Sequence, residues 1–187
     1  MENPWTSLSQ ELIYNNNWIS LTEHQVLNPN GGPGIYGVVH FKNLAIGIVA
    51  MEENGDIYLV GQFRFPINQY SWEIPEGGGK LEEDPLHSAQ RELLEETGLR
   101  AEKWRVIQTM HLSNSVSDEY CILYMATDLR QGIAEPEETE KLEVKRIPFS
   151  EAYSMVVKGE ITDSMSVTAI LKVKILLDEA GGNPKNL

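Results

Sequence analysis

Apolar positions in this chain form short runs on either side of one stretch that has helical periodicity. In that stretch three apolar residues recur three or four positions apart: Leu86, Ala89 and Leu93. Asp84 is a good N-cap, and Pro85 suits the first helical position because the N–H that proline lacks is not needed there. Gly98 predicts a left-handed stop. The pattern therefore predicts a helix between Asp84 and Gly98, with a narrow face towards the core.

The remaining apolar runs predict strands before and after this helix. The predicted strands are Leu12–Tyr14, Trp18–Val26, Ile35–Phe41, Leu44–Met51, Ile57–Phe65, 72–75, Glu102–Leu112, Glu119–Asp128 and Lys141–Phe149. Asn54-Gly55 predicts a type I′ turn that pairs the strands on its two sides. Two helices should close the chain, one capped by Ser150 and one by Asp163 or Ser164. This order predicts an α+β fold with helices on either side of a mixed sheet.

Three acids crowd the last turn of the predicted helix. Glu92, Glu95 and Glu96 are spaced i, i+3 and i+4, so their carboxylates converge at the negative end of the helix dipole. Each like-charge pair costs about 0.2–0.5 kcal/mol, and divalent cations would remove that cost. Hard ions such as Mg²⁺ accept carboxylate oxygens and keep waters for a phosphate substrate. The alternative is a solvated helix end in which Arg91 pairs with Glu95. That alternative does not explain why a run of glycines, 77–79, precedes the helix.

The stretch from Gly77 to Leu99 resembles the signature of the Nudix hydrolases. Every fixed position of that signature is filled: Gly77, Glu83, Arg91, Glu92, Leu93, Glu95, Glu96, Gly98 and Leu99. The resemblance implies an α/β/α sandwich whose loop–helix–loop holds Mg²⁺ or Mn²⁺ and cleaves a nucleoside diphosphate linked to another moiety. It implies that Glu92, Glu96 and the peptide carbonyl of Glu76 bind the metal. Glu95 is close enough to add a ligand or orient a water, and Arg91 is expected to pair with Glu83.

A catalytic base is expected in the acidic loop before the last strand. As plain sequence, its glutamates are consistent with simple solvation. The chain also resembles the ADP-ribose pyrophosphatases, which carry a mobile Glu-x-Glu in such a loop. That resemblance implies Glu138 as the base, with Glu140 next.

The same resemblance implies three substrate contacts. Arg64 in Gln62-Phe-Arg-Phe is expected to reach a phosphate, although an ordinary strand-end arginine fits equally well. Glu73 in Trp72-Glu-Ile-Pro is expected to contact substrate or water, and Glu119 to contact the terminal ribose. One departure matters: Ser113-Asn-Ser115 stands where ADP-ribose-specific members carry Ser-Pro-Gly. A broader range of sugar nucleotides is therefore expected.

Composition and charge indicate which binding partners to expect. The chain has 187 residues, 41% of them apolar, and a formal net charge of −13, with no basic run. Duplex nucleic acid and anionic membranes are therefore not expected as partners. No stretch approaches the roughly 20 apolar residues of a membrane span, and nothing at the start of the chain reads as a signal peptide, so a cytoplasmic protein is expected. The single cysteine, Cys121, excludes an internal disulfide and is expected to be a buried structural residue.

The predicted organisation is an N-terminal β extension at 1–40, a catalytic domain at 41–182 and a loose tail at 183–187. The extension has too few apolar residues to form a core of its own. The resemblance to the ADP-ribose pyrophosphatases implies a homodimer with exchanged N-terminal strands. The preferred hypothesis is a Mg²⁺-dependent pyrophosphohydrolase that converts nucleoside diphosphate sugars to a nucleoside monophosphate and a sugar phosphate. Two alternatives stay open: a hydrolase of nucleoside triphosphates or dinucleoside polyphosphates, and a non-catalytic nucleotide-binding module on the same fold.

Overall fold

A computed structural model describes residues 2–132 and 142–186. Within them the strands are β1 (Thr6–Asn15), β2 (Ile19–Leu27), β3 (Pro33–Phe41), β4 (Asn43–Ala50), β5 (Asp56–Arg64), β6 (Gln69–Glu73), β7 (Glu76–Lys80), β8 (Leu99–His111), β9 (Tyr120–Gln131) and β10 (Glu143–Pro148). The α-helices are α1 (Pro85–Thr97), α2 (Phe149–Val157) and α3 (Ser164–Glu179). Short 3₁₀ turns lie at Phe65–Ile67 and Pro184–Asn186.

The first three strands form a separate antiparallel sheet in the order β1-β2-β3. The pairing of β1 with β2 extends from Thr6 opposite Leu27 to Asn15 opposite Ser20, so the first strand is much longer than the predicted Leu12–Tyr14. Polar residues fill most of its first half, which is why no apolar run marked it. Every residue of β1 is exposed.

The central sheet has four strands in the order β7-β4-β9-β8. β4 is parallel to β9, whereas the β4–β7 and β8–β9 pairs are antiparallel, so the sheet is mixed as predicted. One of its faces packs on α1 through a cluster that includes Ile46, Ala89 and Leu93. The other face contributes to a larger core with α2 and α3 that includes Val49, Leu123 and Ile170. Helices on both sides of a mixed sheet confirm the predicted architecture.

A second, three-stranded antiparallel sheet has the order β10-β5-β6. The prediction that the strand after Asn54-Gly55 pairs back on β4 is wrong. β5 instead pairs with β6 and β10, and a single bridge between Met51 and Ile57 joins it to the β4 end. The reason is that both edges of β4 are already occupied by β7 and β9.

The turn itself also differs from the predicted type I′. The Gly55 N–H bonds the Glu52 carbonyl at 2.9 Å, and Gly55 has φ 85° while Asn54 is not in the left-handed region. Type I′ needs positive φ at both central residues. The predicted helix cap at Ser150 is wrong as well, since α2 starts one residue earlier, at Phe149, with Pro148 before it. For α3 the cap is Asp163, whose carboxylate accepts the N–H of Ser166.

Candidate active site

The signature helix ends against a glycine-rich strand, with two of its acids turned inward. α1 has its predicted caps: the Asp84 carboxylate accepts the Leu86 N–H at 3.0 Å, and Gly98 has φ 72°. Glu92 is 9% exposed and Glu96 is 3% exposed. Carboxylates are rarely buried to this degree without a partner. The alternative of a freely solvated acidic helix end is therefore wrong for these two residues.

Arg91 ties this acidic end to the adjacent strand. Its Nη1 donates to Glu95 at 2.7 Å, and its Nη2 donates to Glu92 at 2.7 Å and to the Gly78 carbonyl at 2.8 Å. Arg91 is thus a structural residue, but its partners differ from the predicted Glu83, which pairs with Lys80 at 2.7 Å. One guanidinium shared by two carboxylates offsets part of the repulsion within the last turn.

Strand β7 approaches the acids so closely that only glycine fits at one position. A Cβ placed on Gly77 would lie well inside 3.0 Å of the Glu92 carboxylate. One residue earlier, the Glu76 N–H donates to Glu96 Oε2 at 3.0 Å. The structure therefore places the main chain at Glu76 and Gly77 next to the Glu96 and Glu92 carboxylates. The predicted ligands here are these two carboxylates and the Glu76 carbonyl. All of their ligand atoms are oxygens, which suits a hard divalent cation.

A second acidic group lies beside the first. One carboxylate oxygen from each of Glu73, Glu76 and Asp163 lies within 4.8 Å of the other two. Glu73 is 2% exposed, and Glu76 Oε2 is buried with no hydrogen-bond partner among the described residues. Burial first, then the charges of Asp163 and Glu73, raise the pKa of Glu76 well above its ordinary value. The sequence predicts Asp163 only as a helix cap. Its proximity to Glu73 gives no local signal, because the two residues are 90 positions apart.

Arg64 is partly exposed and pairs with two carboxylates, those of Glu73 and Glu76. Its Nε donates to both Glu73 carboxylate oxygens at 3.0 Å, and its Nη2 donates to Glu73 at 2.6 Å and to Glu76 at 2.7 Å. Its side chain remains 36% exposed. Burial lowers the pKa of Arg64, but bonding to Glu73 and the charge of Glu76 raise it overall, so the guanidinium stays charged. Arg64 and Glu73, both predicted as substrate contacts, are thus paired with each other.

One predicted substrate contact, Glu119, lies outside both acidic groups. Glu119 directly precedes β9 and belongs to neither acidic group among the described residues; its neighbour Asp118 accepts the Phe41 N–H at 2.9 Å, next to the N-terminal sheet. Burial, and then the charge of Asp118, raise the pKa of Glu119. Glu138 and Glu140 lie outside the described residues.

Most of the chain matches a known domain family. A model of the NUDIX domain matches residues 41–165. The chain belongs to the Nudix family. A second model, the nucleoside diphosphate sugar hydrolase N-terminal domain, matches residues 5–39 of this Nudix protein.

Two relatives are named ADP-ribose pyrophosphatase. One, from Mycobacterium tuberculosis, is 35% identical over 92% of this chain and 84% of its own length. The other, from Bacillus subtilis, is 31% identical over 88% of this chain and 89% of its own. A GDP-mannose pyrophosphatase from Yersinia enterocolitica is 26% identical over 90% of this chain and 94% of its own.

A solved structure shares the fold. A crystal structure of an ADP compounds hydrolase superposes with a TM-score of 0.86, covering 95% of this chain and 96% of that one, at 20% sequence identity. The structural similarity, together with the NUDIX domain match, confirms the fold predicted from the sequence. In the described part of the chain, none of the helices has the length and apolar character needed to cross a membrane.

Proposed function

We propose that this Nudix hydrolase cleaves the diphosphate of nucleoside diphosphate sugars and releases a nucleoside monophosphate and a sugar phosphate. One observation carries the proposal. Two buried carboxylates, Glu92 and Glu96, converge on the main chain at Glu76, in a protein whose residues 5–39 match a nucleoside diphosphate sugar hydrolase domain. The names of the relatives, ADP-ribose pyrophosphatase and GDP-mannose pyrophosphatase, support the same substrate class.

The residues present fit a divalent metal ion, Mg²⁺ or Mn²⁺. The fit rests on two features: an all-oxygen donor set and the close approach of Gly77 to the Glu92 carboxylate. We assign the Glu92 and Glu96 carboxylates and the Glu76 carbonyl as the ligands. Bound there, the ion would neutralise charge on the diphosphate and lower the pKa of a coordinated water.

The other polar residues are assigned roles that their positions allow. Arg64 presents a charged, partly exposed guanidinium, and Glu73 orients it through a bidentate pair. In the substrate complex Arg64 would bind a phosphate oxygen. Glu95, held by Arg91 at the end of α1, would orient the attacking water.

Two assignments come from the resemblance to ADP-ribose pyrophosphatases. Glu138, with Glu140 second, is proposed as the base that removes a proton from the attacking water. Glu119, which follows the residue that bonds the Phe41 N–H, is proposed to contact the terminal ribose.

A substrate panel tests the function. Purified protein with Mg²⁺ is incubated with ADP-ribose, GDP-mannose, UDP-glucose, a diadenosine polyphosphate and modified dNTPs, and the products are separated by chromatography. We expect turnover of more than one sugar nucleotide, because Asn114 replaces the proline of strictly ADP-ribose-specific relatives. Preferential turnover of dNTPs or dinucleoside polyphosphates would contradict the substrate class. Binding without turnover at any divalent metal concentration would instead support a non-catalytic module.

We further propose a homodimer built on exchanged N-terminal strands, with 1–40 as the dimerising extension, 41–182 as the catalytic domain and 183–187 as a tail. Exposed apolar side chains on the sheet formed by β1, β2 and β3 support this; they include Leu8, Leu12, Ile13 and Ile35. Light scattering should give a mass near twice 21.1 kDa, and Leu12→Glu should lower it. Val157→Glu, at an equally exposed apolar position on α2, is the control. A monomeric wild-type mass would contradict the proposal.

The cellular location is also a proposal. We place the enzyme in the cytoplasm, where a reducing environment suits a chain with a single, buried cysteine, Cys121. Fractionation of the source cells, followed by immunoblotting, tests it: recovery in the cytoplasmic fraction is expected, and recovery outside the cell would contradict it.

A further inference from the structure

The backbone between β6 and β7 crosses from the three-stranded sheet to the central sheet, so its polar groups must find partners outside a regular ladder. Pro75 has no N–H, and its carbonyl accepts the Ile48 N–H at 2.8 Å. The Glu76 N–H is bonded by Glu96 from α1 at 3.0 Å. The remaining donor is the N–H of Ile74, which lies in a fully buried residue.

That donor is satisfied by a side chain from the C-terminal helix. The Ile74 N–H donates to Ser166 Oγ at 3.0 Å, across 92 positions of sequence. Ser166 is 0% exposed. Its own N–H donates to the Asp163 carboxylate at 2.7 Å, so the helix cap holds the backbone that carries the hydroxyl. The crossing segment is therefore fixed by α3 on one side and by α1 on the other.

We propose that Ser166 is a positioning residue of the active site, which rests on the function proposed above. By holding the Ile74 peptide, it sets where the Glu73 carboxylate and the Glu76 carbonyl lie relative to Glu96. Ala169 and Ile170, three and four positions further along α3, are apolar and fully buried, and the polar contact of the Ser166 hydroxyl is with the Ile74 N–H. Removing the hydroxyl leaves a buried N–H without an acceptor, and the segment must shift to recover one.

The experiment uses an isosteric pair and a matched control. Ser166→Val and Ser166→Thr have the same shape, and only threonine keeps the hydroxyl. Ser88→Ala is the control, since the Ser88 hydroxyl is equally buried but has no hydrogen-bond partner among the described residues. Mn²⁺ affinity is measured by electron paramagnetic resonance titration, and kcat and KM with ADP-ribose are measured separately. Exchange of the Ile74 amide is followed by NMR.

We expect Ser166→Val to bind Mn²⁺ about ten- to 100-fold more weakly, as is typical when a group that orients a metal ligand is removed. Its kcat should fall more than its KM rises. Ser166→Thr should stay near the wild type, and so should Ser88→Ala. In the wild type the Ile74 amide should be strongly protected from exchange.

Three results would overturn the inference. Equal Mn²⁺ affinity in Ser166→Val and Ser88→Ala would do so while leaving the proposed function intact. Fast exchange of the wild-type Ile74 amide would do so even if the Ser166 variants failed to fold. A Ser166→Thr variant that folds but loses as much affinity as Ser166→Val would assign the effect to volume rather than to the hydroxyl. If the wild type hydrolysed no sugar nucleotide, the proposed function would fail, and the Mn²⁺ titration would still decide the role of Ser166.

Discussion

Replacing Gly77 by alanine is the smallest change that should displace the Glu92 carboxylate. The backbone of Gly77 lies outside the left-handed region, so alanine can adopt it without strain. The new Cβ, however, would overlap the carboxyl group of Glu92, the nearest side chain. Because Glu92 is also bonded to Arg91, which holds the Gly78 carbonyl, the carboxylate has little room to retreat.

The size of the effect follows from the contact distance. To restore an ordinary contact of at least 3.4 Å, the Glu92 carboxylate or strand β7 must move by about 1 Å or more. A displacement of about 1 Å in a reacting site can cost about 100-fold in rate. Overpacking a buried contact costs about 1–3 kcal/mol of stability. We therefore expect Gly77→Ala to fold, with a lowered Tm, and to lose about 100-fold in kcat.

The adjacent glycine provides the control. A Cβ on Gly78 would meet its nearest neighbour, Asn43 Nδ2, at 3.6 Å, which is an ordinary contact. Gly78→Ala should therefore keep nearly wild-type kcat and Tm. Steady-state kinetics with ADP-ribose at saturating Mg²⁺, together with thermal unfolding, measure both effects. If Gly77→Ala and Gly78→Ala had equal activity, the close approach of β7 to Glu92 would have no catalytic meaning, and the argument would be refuted.

Three further predictions follow from the site and the core. Glu96→Gln, which keeps side-chain size, should lower kcat about 10²–10³-fold with an unchanged circular dichroism spectrum, and normal turnover would refute the ligand assignment. Arg64→Lys should raise KM about ten- to 100-fold, since hydrogen bonds to charged groups contribute about 1.5–3 kcal/mol; an unchanged KM would contradict a phosphate contact. Burial raises the pKa of the Cys121 thiol to about 12, so a thiol reagent at pH 8 should label it only in denaturant, and rapid native labelling would contradict its burial.

The raised pKa of the Cys121 thiol also makes the stability of the fold depend on pH. Its folded pKa lies above the ordinary value of 9.0, so the unfolded state releases the thiol proton first as the pH rises. This contribution to stability is complete below pH 9 and is lost between pH 9 and about pH 12.

Local signals explain why the helix was predictable. Asp84 and Gly98 act through contacts within their own turns, so sequence alone located both ends of α1. The convergence of Glu92 and Glu96 follows from helical spacing alone. The order of strands in the sheets could not be predicted in the same way, because the strands that pair with β4 are distant in sequence. β9, more than 70 positions away, takes the edge that a local hairpin with β5 would have used.

The second acidic group, Glu73, Glu76 and Asp163, could not be predicted from local sequence signals. Glu73 and Asp163 have no local pattern in common, and their proximity depends on where α3 docks against the β6–β7 crossing. The sequence predicts a phosphate contact for Arg64, which stays a prediction. It does not predict the pairing of Arg64 with Glu73 and Glu76, because it assigns Glu76 only through its carbonyl. Long-range packing, rather than residue type, decides these contacts.

Anomalous diffraction from crystals soaked with Mn²⁺ and a non-hydrolysable analogue of ADP-ribose would show whether the end of α1 holds the metal ion. We expect a manganese peak bounded by the Glu92 and Glu96 carboxylates and the Glu76 carbonyl, with the diphosphate of the analogue against it. A peak only at surface carboxylates, with Glu92 and Glu96 away from any ion, would contradict the assignment of this helix end as the metal site.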